Sequence, residues 1–145
     1  MTPLLRNATP ADLAAIRDLL ERNGLPTSDL AASGARFTVA CEDGQVIGTG
    51  ALEHFAKAAL LRSVAVDPAR RSEGLGRRIV KALELQARAA GITQLVLLTQ
   101  TARRFFEHQD YHPVERAQVP KAVQESAEFR SLCPASAECM VKLLR

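Results

Sequence analysis

The sequence predicts a mixed α/β (α+β) domain built on a mainly antiparallel sheet, with helices on its flanks. Two patterns carry that prediction. The runs Arg36 to Glu42 and Gln45 to Glu53 flank Asp43-Gly44, a dipeptide suited to the positive φ angles of a two-residue hairpin turn, and a third run, Ala59 to Val66, follows at hairpin spacing. A long amphipathic helix over Leu75 to Ala90 then leads into Gln94 to Thr99, whose Leu95-Val96-Leu97-Leu98 stretch suits a strand covered on both faces, so strand, crossover helix and strand imply one parallel pair. The length of 145 residues and the 47% hydrophobic content suit a single core, and residues 1–145 read as one domain without linker or internal repeat.

The remaining elements follow from local signals. Pro3 to Asn7 reads as a short strand. Thr9-Pro10-Ala11-Asp12 is a helix start, with proline at the first helical position and an acid at the positive end. The helix presents Leu13, Ile16, Leu19 and Leu20 on one face and closes at Asn23-Gly24, before a loop or short helix over Leu25 to Gly34. Asp67-Pro68 ends the third sheet run, and Gly91 stands where the long helix needs a C-terminal cap. Ala102 to His108 is a short helix, Lys121 to Phe129 a polar helical segment, and Cys139 to Leu144 a last apolar run.

Composition excludes several functions. A net charge of +3, aromatics at 4% and no Trp leave little with which to bind or stack nucleic acid. No apolar run reaches the roughly 18 residues of a membrane span, and Met1 to Arg6 lacks the plan of a secretory signal, so a cytoplasmic protein with no membrane association is the expectation. Cys41, Cys133 and Cys139 form neither a disulfide framework nor a zinc motif, and no metal is expected. Soft thiolates at Cys133 and Cys139 would suit a soft metalloid only if they converged.

Positive charge is concentrated in one place. Between Pro68 and Lys81 stand Arg70, Arg71, Arg77, Arg78 and Lys81 against Glu73 alone. Here a strand runs through a loop straight into a helix, so free backbone N–H groups gather at the helix's positive end, and Gly74 and Gly76 let a bulky anion approach the main chain. A pyrophosphate fits such a cradle. Neither G-x-x-x-x-G-K-[ST] nor the third glycine of a dinucleotide fingerprint is present.

Arg71-Ser72-Glu73-Gly74-Leu75-Gly76, after an apolar strand and before a helix, resembles the [Q/R]-x-x-G-x-[G/A] motif of the GCN5-related N-acetyltransferases (GNAT), and the order of elements resembles that family over nearly the whole chain. The resemblance implies a sheet splayed between its fourth and fifth strands with acetyl-CoA as co-substrate in the opening. The main chain of Val64, Ala65 and Val66 would pair with the pantetheine arm, and the amides of Arg71, Ser72, Glu73, Gly74, Leu75, Gly76 and Arg77 would hold the pyrophosphate. Gly50 to Glu53, Leu60 to Val66 and the tail from Phe129 to Met140 further resemble the small acetyltransferases of arsenic-resistance operons, which implies a primary amine of a small amino-acid-like molecule, including organoarsenicals, as acceptor.

Acetyl transfer requires a neutral amine and a stabilised thiolate leaving group. Glu53, near the end of the strand that leads to the splay, is the candidate base, and His54 points to the opposite face of a regular strand. Arg62 and Arg130 are candidate partners for a substrate carboxylate, since a guanidinium grips one with two hydrogen bonds. The family's A-x-x-F-Y-E-x-x-G-[FY] segment reads here from Ala102 to Tyr111, with Phe106 in the Tyr place and Asp110 in the Gly place, so the usual acid is missing and water or Tyr111 would take its part. Thr99 and Thr101 are candidates to line the cleft. The rival readings are an acyl-CoA-binding sensor without catalysis and a protein-lysine acetyltransferase. An exposed edge strand would allow two copies to pair as a homodimer.

Overall fold

The structure, a computed structural model, describes residues 3–144. Seven strands form one sheet: β1 (Leu4–Asn7), β2 (Arg36–Glu42), β3 (Gln45–Phe55), β4 (Ala58–Val66), β5 (Gln94–Thr99), β6 (His112–Pro113) and β7 (Glu138–Leu143), in the spatial order β1-β2-β3-β4-β5-β7-β6. All pairings are antiparallel except β4 with β5. The helices are α1 (Leu13–Arg22), α2 (Leu75–Ala89), α3 (Arg103–His108) and α4 (Lys121–Gln124). Among the described residues no helix is long and apolar enough to cross a membrane.

Local signals explain most boundaries. Asp43 and Gly44 take φ of 52° and 78°, the two positive values the tight β2–β3 turn requires. A 3₁₀ turn over Pro10–Asp12 precedes α1, and the Asp12 carboxylate accepts from the Thr9 amide at 2.7 Å while Arg6 grips it at 2.7 and 2.9 Å. The Leu25 to Gly34 segment is a series of turns with no helix, and the tail adds a wide turn over Glu128–Leu132 beyond α4.

The core lies on both faces of the sheet. Helix α2 puts Leu75, Ile79, Val80, Leu83 and Ala87 against Leu52, Leu61, Leu95 and Met140 on one face. Helix α1 covers Val39 and Ala65 on the other face, where α4 and the tail cover Leu60, Val96 and Val141. Gly50 allows the close approach of α2 to β3: a Cβ there would lie 2.8 Å from side-chain atoms of both Ile79 and Leu83.

A β-bulge in β4 sets up the opening of the sheet. Thr49 pairs with Ala65 and Ala51 with Arg62, so Gly50 alone faces both Ser63 and Val64, and Ser63 takes φ of 59°. The extra residue reverses the alternation along the strand. Before it Leu61 faces α2 and Arg62 faces away; after it Val64 and Val66 pack on the α2 side and Ala65 on the α1 side.

Candidate active site

β4 and β5 pair only from Ala58 to Leu60 against Gln94 to Val96. Past Leu60 the two strands part, and the β4 edge from Leu61 to Val66 has no strand beside it. Val64, Ala65 and Val66 therefore present main-chain groups along one wall of an opening, with Val64 and Val66 half-buried.

The loop after β4 ends at the start of α2. Gly74 caps that helix with φ of 80° and Ser72 has φ of 70°, so the chain curls around the helix end. The first amide of the region to find an acceptor is that of Arg78, on the Gly74 carbonyl at 3.2 Å. Among the described residues the amides of 71–77 have no protein acceptor, and no side chain caps the helix. Gly74 has nothing within 4 Å of a would-be Cβ, whereas at Gly76 a Cβ would meet Phe105 at 3.4 Å. Seven N–H groups without a protein acceptor thus gather at the positive end of a helix, an arrangement that favours a bound anion.

The arginines of this loop divide. Arg70 is turned inward, paired with both oxygens of Glu42 at 2.6 and 3.1 Å and with Glu73 at 3.0 Å, which ties the loop to the end of β2. Arg71 donates to the Asn23 side-chain oxygen at the C-terminus of α1, and Asn23 in turn donates to the Leu19 carbonyl. Arg77 and Arg78 are exposed.

The face opposite α2 holds the charged groups. Arg62 is buried, its side chain without exposed surface. It donates to both oxygens of Asp29 at 2.7 Å, to Glu53 Oε1 at 3.1 Å and, through Nε, to the Ser63 hydroxyl at 3.3 Å, and it forms an ion pair with Glu128, whose carboxylate oxygen lies 3.0 Å from Nε. The expectation that Arg62 grips a substrate carboxylate is corrected by this arrangement. A guanidinium buried next to an apolar strand needs counter-charges, and three of the protein's own acids supply them. Hydrogen bonding to Arg62 holds the Asp29 carboxyl below its ordinary value, while burial pushes that of Glu128 up. Glu53, with a side chain 12% exposed, keeps its Oε2 without a partner among the described residues.

Other candidates fall elsewhere. His54 lies on the α2 face, where with Gln86, Ala89, Ala90 and Arg36 it lines a separate cleft of about 700 Å³. Arg130 is exposed on the Glu128–Leu132 turn and its guanidinium pairs with no acid among the described residues. Tyr111 is buried and donates to Glu84 at 2.9 Å, and burial beside that carboxylate pushes its phenol far up. It is a core group and no acid for a leaving thiolate. Asp110 keeps the positive φ, 72°, of the glycine whose place it takes. The Thr99 hydroxyl accepts from the Ala102 amide at 3.0 Å and starts α3, while Thr101 is exposed. Cys133 lies 3.7 Å from Glu128 and Cys139 sits in an apolar cluster; burial pushes their thiols up to about 12 and about 11, away from the thiolate form that metalloids bind.

The family described as Acetyltransferase (GNAT) domain matches residues 33–113, the segment that contains β2 to β5, the cradle and α2. The chain belongs to the GNAT acetyltransferase family. Curated relatives of this GNAT chain include an amino-acid acetyltransferase of Aeromonas salmonicida, 30% identical over 124 residues, which cover 79% of this chain and 28% of the relative. One of Pasteurella multocida is 29% identical over 135 residues, covering 87% of this chain and 31% of the relative. The GNAT chain thus spans less than a third of the length of these relatives. Among solved structures, N-acetylglutamate synthase from Neisseria gonorrhoeae, complexed with coenzyme A and N-acetyl-glutamate, superposes with a TM-score of 0.85 at 21% identity over 100% of this chain and 36% of that one, a likeness of fold. Rv2747 from Mycobacterium tuberculosis, in complex with CoA, superposes with a TM-score of 0.82 at 26% identity over 99% of this chain and the whole of the other.

Sequence reasoning missed Asp29 and Glu128. The one available signal was Arg62 itself, a charge inside the apolar run Leu60 to Val66, which demands buried acids without saying which.

Proposed function

We propose that residues 1–145 act as one acetyl-CoA-dependent N-acetyltransferase unit that transfers the acetyl group directly to the primary amine of a small amino-acid-like molecule. The observation that carries this is the run of amides 71–77 without acceptors at the start of α2, beside a β4 edge left open by the splay. Those amides suit the pyrophosphate of coenzyme A, with Arg71 and Arg77 adding charge at the rim. The open edge at Val64, Ala65 and Val66 suits the amide-bearing pantetheine arm. Solved CoA complexes of the same fold and the amino-acid acetyltransferase relatives support both the co-substrate and the acceptor class.

Glu53 is the base in this reading. Arg62 fixes its Oε1, which leaves Oε2 to take the proton of the acceptor's ammonium group, directly or through water. The amine nitrogen then attacks the thioester carbonyl, the C–S bond breaks, and coenzyme A leaves as a thiolate that water protonates. No side chain replaces the acid, since Phe106 is buried in the core and Tyr111 is held by Glu84. Arg130 is the partner for an acceptor carboxylate, on the turn that also brings Glu128 to Arg62. An amino acid with an arsenical side chain is the narrower acceptor, resting on the sequence likeness alone.

Release of free thiol from acetyl-CoA, measured over a panel of amino acids that includes amino-acid arsenicals, tests the reading. Turnover on a small amine, slowed roughly 10²–10⁴-fold in Glu53→Gln with little change in acetyl-CoA affinity, is the expected outcome. Binding without turnover on any amine would favour the sensor, and turnover on lysine peptides alone the protein acetyltransferase.

A further inference from the structure

Three segments distant in sequence meet on one guanidinium. Asp29 comes from the α1–β2 connection, Glu53 from β3 and Glu128 from the tail turn, and all three bond Arg62 of β4. Arg has five N–H donors in a fixed fork. Asp29 takes the terminal edge with two bonds of 2.7 Å, Nε donates to Ser63 with the Glu128 carboxylate as an ion-pair neighbour at 3.0 Å, and Glu53 has one bond of 3.1 Å from the nitrogen it shares with Asp29. The shares are unequal.

We propose that Asp29 is a positioning residue for the base: by holding the fork of Arg62 it restricts Glu53 to one shared donor, so that the guanidinium orients Glu53 through Oε1 and leaves Oε2 free to receive a proton. This deepens the reading of Glu53 as base and rests on it. A carboxylate that owned the whole fork would be the most strongly stabilised as an anion and the poorest proton acceptor. The groups facing the cluster are Arg62 from β4, Asp29 from the connection, and Glu128 with Cys133 behind it from the tail. Hydrogen bonding that lowers the Asp29 carboxyl accords with its holding the larger share.

The test is carbon-13 NMR titration of the side-chain carboxyls of the full chain, with the Glu53 signal assigned by its loss in Glu53→Gln. In Asp29→Asn the charge that holds the fork of Arg62 is removed, and the Glu53 titration midpoint should fall relative to the wild-type chain. The acid limb of kcat/KM should move the same way and kcat should drop roughly three- to tenfold as the base weakens. An Asp29 that only anchored its loop would lower Tm and leave the Glu53 titration unmoved, and an unmoved midpoint in folded Asp29→Asn overturns the proposal. Thiol release by the wild-type chain tests the transferase reading separately, so failure of that reading and failure of the Asp29 coupling register in different measurements.

Discussion

Replacing Lys142 with methionine should cost this fold several kcal/mol, on the order of what a stranded buried charge costs, because of what it leaves unpaired. Lys142 reaches back from β7 to bond both oxygens of Glu84 at 3.2 and 3.1 Å and the Gln109 carbonyl at 3.0 Å. Glu84, on α2, is only 1% exposed and its one other partner is the Tyr111 hydroxyl at 2.9 Å. Lys142→Met retains most of the side-chain volume but leaves a buried carboxylate facing a single neutral donor. Breaking a buried pair from one side costs about 3–5 kcal/mol, the uncompensated charge being the larger part. At roughly 3 °C of Tm per kcal/mol for a chain of this size, the midpoint should fall by about 10–15 °C in a calorimetric or circular dichroism melt. The double variant Glu84→Leu, Lys142→Met, in which no charge is left behind, should recover most of the loss. A single variant that loses under about 1 kcal/mol, or a double variant no better than the single, would refute the reasoning.

Two further outcomes follow from the packing and charge. Gly50→Ala places a Cβ 2.8 Å from Ile79 and Leu83 of α2 and should cost about 1–3 kcal/mol in a urea titration. Glu128 gives a pH signature: burial pushes its carboxyl above the ordinary value of 4.5, so its contribution is fully present below that pH and is lost as pH rises through the folded value. Glu128→Gln, which cannot ionise, should therefore gain in Tm over the wild-type chain at pH 8 relative to pH 4, and an identical difference at both pH values would contradict the assigned direction.

What the sequence revealed and what it hid divide by range. The Asp43-Gly44 turn, the Gly91 cap and the amphipathic face of α2 were legible because each is fixed by a few adjacent residues: positive φ at a glycine, or a periodicity of apolar side chains. The run of free amides before and at the start of α2 was legible for the same reason, being main chain at the start of one helix. The acid cluster was not. Arg62 meets Asp29 across 33 positions of sequence and Glu53 across nine, and which face of β4 it takes depends on the sheet's register and on a bulge at Ser63 that nothing in Leu60 to Val66 announces. That is why Arg62 reads from the sequence as a free cation and stands in the fold as a neutralised one. Tyr111 is a second case: the sequence offers it with water as a replacement acid, and burial with its hydroxyl donated to Glu84 removes it from that part.

Titration calorimetry with acetyl-CoA, run on the wild-type chain and on Gly74→Asp, bears most directly on the account. Saturable binding by the wild-type chain, lost when a carboxylate is set among the amides of 71–77 in a variant that still melts cooperatively, is the predicted result. No heat of binding with the wild-type chain, or an undiminished affinity in Gly74→Asp, would contradict it.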